Sequence, residues 1–230
     1  VIENAAPRLQ VLHRLTPGPD CPRCPRLRSY RESLRLQQPG WHNAPVPSFG
    51  DPAARLLVVG LAPGVAGANR TGRPFTGDFA GDLLYDGLIR RRLALGVYER
   101  RPEDGLELVD CRITNAVRCV PPQNRPNGDE VSQCRPFLAS ELQAEPRPVV
   151  VLALGRIAWD SVLRALSLTV ARHPFAHGAV VSLPAGPVLV GTYHSSRYNV
   201  NTGRLTPAMF ERVLDRVRDL LDGASVPPAV

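Results

Sequence analysis

Lysine is missing from this 230-residue sequence, and each of its 28 basic side chains is an arginine. That absence removes whole classes of chemistry. No Schiff base can form on a side-chain amine, so lysine-driven β-elimination of an abasic strand is excluded. A Walker P-loop is excluded too, because it needs its lysine. No apolar run approaches the roughly 20 residues that span a bilayer. Val1 to Gln10 holds no apolar signal-peptide core. The expectation is a cytoplasmic protein with no membrane contact. Cysteine is scarce as well. Five cysteines without an export signal do not read as a disulfide framework.

What is present is a chain 43% apolar and 21% charged, the balance of a globular protein. Length and composition fit a single domain over 1–230, with an N-terminal arm over 1–50, and a monomer is expected. The formal net charge is +7. A basic excess suits a polyanionic partner, since each neutralised phosphate releases counterions.

Cys21 and Cys24 form a C-x2-C pair on a proline-rich turn in the Arg-rich stretch Leu9 to Leu36, and Cys119 and Cys134 form a C-x14-C pair downstream. Four thiolates satisfy either a tetrahedral zinc ion or a four-iron cluster. The wide second pair leans toward iron–sulfur. Buried structural cysteines are the plainer alternative, and Cys111, inside an apolar run, reads as core.

Buried strands are expected at Arg55 to Leu61, Leu106 to Asn115, Val149 to Leu154 and Val188 to Thr192. Helical spacing covers Phe79 to Leu95 and Ile157 to Leu166. Asn127 and Glu130 have capping-box spacing for a helix running to Ala144, in which Pro136 should kink or end the first turn. Thr206 and Pro207 start a last helix with the apolar stripe Phe210, Val213, Leu214, Val217 and Leu220. Strands alternating with helices imply an α/β fold with a mainly parallel central sheet. Ligands bind beyond the carboxyl ends of such strands, and the polar motifs fall there.

The first motif runs from Gly60 through Leu61, Ala62, Pro63 and Gly64 to Asp78. Its glycines let backbone amides approach a ligand closely. Phe75, an aromatic in a polar stretch, is placed to stack on an extruded base, or else plugs the core. Asp78 is a helix N-cap, a carboxylate that orients water or steadies a sugar cation, or both. Asn115 ends a strand with an amide that can read a base edge, and Asn124 is a weaker candidate. His194 at a strand end can donate to a leaving group. Ser195, Ser196, Arg197, Tyr198 and Asn199 suit DNA contact, and Tyr198 or Val200 can wedge into the base stack.

Taken in order, GLAPG…NRTGRPFTGD, ITNAVRC, the two cysteine pairs and GTYHSSRYNVNTGRL resemble the uracil-DNA glycosylase superfamily, most closely its family 5, over roughly Cys21 to Leu205. The resemblance implies a three-layer αβα sandwich around a four-stranded parallel sheet. It implies a structural [4Fe–4S] cluster on Cys21, Cys24, Cys119 and Cys134, with Phe75 stacking on the flipped base, Asn115 reading its edge and His194 on the leaving-group side. The implied partner is DNA containing uracil or other deaminated bases, and the branch tolerates hydroxymethyluracil, hypoxanthine and xanthine. Other branches carry a polar residue just after the first glycine, where this chain has Leu61 and Ala62, so Asp78 becomes the candidate for handling water. A non-catalytic DNA or RNA binder with a structural metal is the alternative. An oxidoreductase fits poorly, because no G-x-G-x-x-G follows the first strand.

Overall fold

The structure, a computed structural model, describes residues 15–184 and 186–226. The first fourteen residues of the expected N-terminal arm, which include Val1 to Gln10, lie outside the described residues. In chain order the elements are α1 (Pro25–Gln37), β1 (Phe49–Gly50), β2 (Leu56–Gly60), α2 (Ala68–Thr71), α3 (Phe79–Arg90), β3 (Ala94–Leu95), β4 (Glu107–Leu108) and β5 (Cys111–Asn115). They continue with α4 (Gly128–Gln143), β6 (Val150–Leu154), α5 (Arg156–Ala165), β7 (Val180–Ser182), β8 (Val188–Thr192), α6 (Arg197–Asn201) and α7 (Pro207–Leu221).

The main sheet has the order β1-β5-β2-β6-β8-β7. Its four central strands, β5, β2, β6 and β8, are parallel, and short antiparallel strands extend it at both edges. The four-stranded parallel sheet of the sequence reading is thus the middle of a six-stranded one. The strands are buried on both faces, which is why they read as unbroken apolar runs. Side chains alternate across the pleat. Leu56 and Val58 join Leu84, Leu88, Phe210 and Leu214 of α3 and α7 on one face. Leu57 and Val59 join Leu138, Leu142, Trp159 and Val162 of α4 and α5 on the other. Helices, sheet and helices make three layers.

Local chemistry sets the boundaries. The α4 capping box is complete: Asn127 accepts from the Glu130 amide, and Glu130 accepts from the Asn127 amide. Thr206 caps α7 by accepting from the Met209 amide, with Pro207 in its first turn. Pro136 neither ends nor splits α4, which runs on to Gln143. The expected helix from Phe79 to Leu95 stops at Arg90 instead. Arg92 takes a left-handed turn (φ +55°), and Leu93 and Ala94 enter the core from extended chain. The strand expected within Leu106 to Asn115 is β5, which follows the short β4 across a left-handed turn at Asp110 (φ +50°). Cys111 is fully buried, as its apolar run suggested.

Candidate active site

The segments after β2, β5 and β8 meet at the carboxyl ends of the parallel strands. Gly60 pairs with Asn115 in register, and beyond them the Ala116 and Val117 amides donate to the carbonyls of Gly60 and Leu61. That ladder fixes where the loop from Leu61 to Asp78 departs. A cleft of about 270 Å³ opens there, bounded among others by Ala62, Pro63, Gly64, Phe75, Asp78, Asn115 and His194. Ala62 and His194, 132 positions apart in the chain (194 − 62), therefore share one pocket wall.

Phe75 and His194 lie face to face, with ring centroids 5.9 Å apart and planes 30° from parallel. Phe75 has a left-handed backbone (φ +53°), which is strained for a residue with a bulky side chain. Its surroundings hold that strain in place. The Tyr85 hydroxyl donates to the Pro74 carbonyl at 2.6 Å, and the Tyr98 hydroxyl donates to the Phe75 carbonyl at 2.9 Å. A Cβ at position 81 would lie 1.8 Å from the Phe75 carbonyl oxygen, so only glycine fits. Arg73 anchors the same turn. It donates to the Thr76 hydroxyl and to both carboxylate oxygens of Asp104, with both partners buried. Burial opposes the charge on Asp104, but the Arg73 guanidinium and the amides of Glu99 and Leu106 outweigh it and hold its carboxyl at about 2.

Asn115 is 3% exposed, and its side-chain amide makes no hydrogen bond among the described residues. The polar atoms of that amide open onto the cleft, where water or a ligand can pair with them. Gly60 makes room for it: a Cβ there would lie 2.4 Å from Asn115 Oδ1 and 2.6 Å from Phe75 Cζ. Gly60→Ala is therefore expected to displace the ring and the amide together. A loss of about 100-fold in single-turnover rate is the scale for a displacement near 1 Å, measured beside a melting curve that shifts by only a few degrees.

Asp78 caps α3 by accepting from the Ala80 amide at 3.1 Å, as its position before the helix suggested. Its carboxylate also presses on the glycine loop. A Cβ on Gly67 would lie 2.3 Å from Asp78 Oδ2, and one on Gly64 would lie 3.0 Å from it. Burial pushes the carboxyl above its ordinary range, against the Ala80 and Gly81 amides. Burial also pulls the His194 imidazole down to about 4. At neutral pH the pocket therefore holds a neutral imidazole, and burial works against the charge on the Asp78 carboxyl.

The remaining expected residues divide. Ala62, Pro63 and Gly64 line the cleft. Asn124 does not: it sits exposed in a 3-10 turn, with φ +56°. Ser195, read as a DNA contact, is fully buried, and its hydroxyl donates to the Ala80 carbonyl at 3.0 Å, tying the His194 loop to the start of α3. The Asn199 amide is likewise spent within the protein, donating to the His194 carbonyl at 2.9 Å. Ser196 caps α6 by accepting from the Asn199 amide. Arg197 is exposed and lies over the Phe79 ring. Tyr198, 71% exposed, stands beside it at the start of α6.

Cys119 and Cys134 are buried with Leu27, Val117, Val131 and Phe137, and Cys21, Cys24 and Ala62 pack against that group. Ala62 therefore touches the thiol cluster on one side and the cleft on the other. Arg31 of α1 is buried and donates to Cys119 Sγ at 3.3 Å, and the Arg118 amide donates to Cys134 Sγ at 3.4 Å. Burial raises the Cys24 thiol to about 12, and the negative charges of Cys134, Cys119 and Cys21 add to that shift. Burial likewise raises Cys119 to about 11. Among the described residues, no group of three or more His, Cys, Asp or Glu stands close enough to ligate a single metal ion.

Several contributors carried no signal in the sequence. Tyr85, Tyr98 and Asp104 act on Phe75 only through folding. Glu141 of α4 accepts from both Arg112 and Arg118 in the interior, and the Arg118 guanidinium also donates to Ser48. No helix among the described residues is long and apolar enough to cross a membrane.

A family model described as the uracil DNA glycosylase superfamily matches residues 47–218. A type-5 uracil-DNA glycosylase of Thermus thermophilus is 45% identical over 206 residues, covering 87% of this chain and 93% of that protein. One from Pyrobaculum aerophilum is 45% identical over 201 residues, covering 86% and 87%. One from Mycobacterium leprae is 44% identical over 209 residues, covering 87% and 91%.

Proposed function

This chain belongs to the uracil-DNA glycosylase superfamily, and we propose that it hydrolyses the N-glycosidic bond of uracil and other deaminated bases in DNA, leaving an intact strand with an abasic site. The observation that carries this reading is the meeting of Phe75, Asn115, Asp78 and His194 around one cleft. A base in a duplex must leave the stack to reach such a cleft, which costs a few kcal/mol and least at a mismatch. A deaminated cytosine opposite guanine is already mismatched.

The base lies on the Phe75 ring, and the Asn115 amide pairs with its polar edge. As the C1′–N1 bond breaks, its electron pair stays with the base, which leaves as an anion. The neutral His194 imidazole donates a hydrogen bond to that anion, in a site where burial strengthens the interaction. The sugar is left as a cation, water adds its oxygen to C1′, and the proton that water sheds passes to solvent while the base anion takes one up, so that a neutral base and a sugar hydroxyl result. Asp78 is placed to orient that water and to steady the cation, and DNA phosphates add negative charge nearby. Leu61 and Ala62 offer the water no base, which suits a reaction driven from the leaving-group side.

The experiment is excision from duplexes that each carry one uracil, hypoxanthine or xanthine. Uracil should be released, and the strand should stay whole until alkali is added, because no lysine is present to eliminate it. Nicking by the purified protein before alkali would contradict the monofunctional reading. Failure to release any base would leave a non-catalytic DNA binder.

The four thiols fit a [4Fe–4S] cluster on Cys21, Cys24, Cys119 and Cys134. Cys119 and Cys134 share one buried group against which Cys21 and Cys24 pack, so the four sulfurs lie on one side of the fold. Arg31 and the Arg118 amide supply the donors that such sulfurs accept. When bound, the cluster staples α1 to the loop after β5 and to α4. Cys119→Ala should abolish the visible absorbance band of the purified protein. It should also lower the melting temperature by roughly 10 °C, the scale of losing a staple worth a few kcal/mol in a chain of this size. The enzyme works in the cytoplasm as a monomer.

A further inference from the structure

A second cavity lies beside the base pocket, and His194 borders both. It is a cleft of about 640 Å³ whose other lining residues are Gly155, Arg156, Phe175, Tyr193, Asn199 and Arg204. No carboxylate lines it. Its two guanidiniums belong to exposed residues and are braced on rings, Arg156 at 6.0 Å from the Phe175 centroid and Arg204 at 4.8 Å from the Tyr193 centroid. The rings are themselves packed together, with Phe175 6.1 Å from Tyr193 and Tyr193 stacked on His177.

Several exposed arginines are held by carboxylates, including Arg28 by Glu32, Arg55 by Asp110, Arg90 by Asp86 and Arg100 by Asp82. Arg156 and Arg204 have neither an ion pair nor a side-chain hydrogen bond among the described residues. A guanidinium held over a ring still has N–H edges to donate, and that planar fork matches a phosphate. Gly155 also starts α5 without a side-chain cap or an acidic first turn, so backbone donors add to the same side.

We propose that this cleft seats the DNA phosphate adjoining the extruded nucleotide, held between Arg156 and Arg204. The proposal rests on the glycosylase reading of the neighbouring pocket. An extruded nucleotide keeps its covalent link to the phosphates on either side. A cleft that shares a wall residue with the base pocket therefore lies within one nucleotide of the reacting sugar. The Phe175 and Tyr193 rings are already engaged by the guanidiniums over them, and Tyr193 also stacks on His177. What stays open is a pair of cationic edges, and the ligand they suit is a phosphate monoanion of the strand.

The test uses Arg156→Gln and Arg204→Gln, singly and together, with binding to a duplex carrying one tetrahydrofuran abasic analogue measured across a salt series. Both side chains are exposed, and melting curves verify folding. The double variant should bind roughly 10-fold more weakly at low salt, and its slope of log K against log salt should be shallower by about 0.9, the signature of one lost phosphate contact. Methylphosphonate substitution at one of the two phosphates flanking the analogue should weaken the unaltered protein to a similar degree and the double variant no further. An unchanged slope, or equal weakening of both proteins by each neutralised phosphate, overturns the proposal. Uracil release by the unaltered protein is scored separately. If release fails, the glycosylase reading fails, whereas normal release with an unchanged slope removes only the phosphate seat.

Discussion

Replacing His194 with alanine is expected to slow single-turnover uracil release by about 100- to 1,000-fold, the cost of one preorganised donor to a developing anion, while binding to abasic DNA changes less than about threefold. The reason lies in what the imidazole can become. Burial holds it near pKa 4, so across neutral pH it is uncharged and can offer one N–H to the departing base. A charged ring would bind DNA through its charge, and its loss would weaken binding as much as catalysis. Equal losses in both would therefore make His194 a binding or folding element. The same depressed value predicts a stability slope. Unfolded histidine takes up a proton near pH 6.5, and the folded protein refuses it until about 4. Stability from this group is complete above 6.5 and declines as the pH falls toward 4. His194→Gln should flatten that part of a melting-temperature profile.

Replacing Asp78 with asparagine is expected to cost about 100-fold in turnover, at the lower end for loss of a group that handles protons or water, with almost no loss of stability. Asparagine caps a helix about as well as aspartate does, so the bond from the Ala80 amide survives. What disappears is the negative charge beside the sugar. Asp78→Ala removes both, and the difference in melting temperature between the two variants isolates the cap, worth about 1 kcal/mol. If asparagine restored full turnover, the residue would be a helix cap only. Asp78 also tilts the pH profile the other way from His194. Its raised carboxyl holds a proton in the folded protein at a pH where the unfolded chain has released it, so its share of stability grows as the pH falls.

The four central strands were legible because burial on both faces writes itself as an unbroken apolar run, as in Leu56 to Val59 and Val150 to Leu154. The edge strands β1 and β7 were not, since two or three half-exposed residues leave no pattern. Helix α1 was passed over for a different reason. Its buried face is Leu27, Arg31 and Leu34, and the buried arginine at the centre of that stripe hides its helical period. Arg31 is buried because it faces sulfur, a partner 88 residues away. Within the site, Phe75, Asn115 and His194 could be named because each stands at the end of a strand or glycine loop. The hydroxyls that brace Phe75 could not, because Tyr85 and Tyr98 look like ordinary helix and loop aromatics until the chain closes. Ser195 shows the opposite error: a polar run looked exposed, and only the Ala80 carbonyl explains why a serine can be buried there.

The solitary amide of Asn115 has one more implication. Hydrolytic deamination always turns an amidine edge into a lactam, a carbonyl beside an N–H, whether the ring is a pyrimidine or a purine. A primary amide is the complement of a lactam, donating to the carbonyl and accepting from the N–H. With the Phe75 hydrocarbon ring, which presents no hydrogen-bonding group, on the same cleft, what Asn115 would select in the proposed reaction is the lactam group rather than a particular heterocycle.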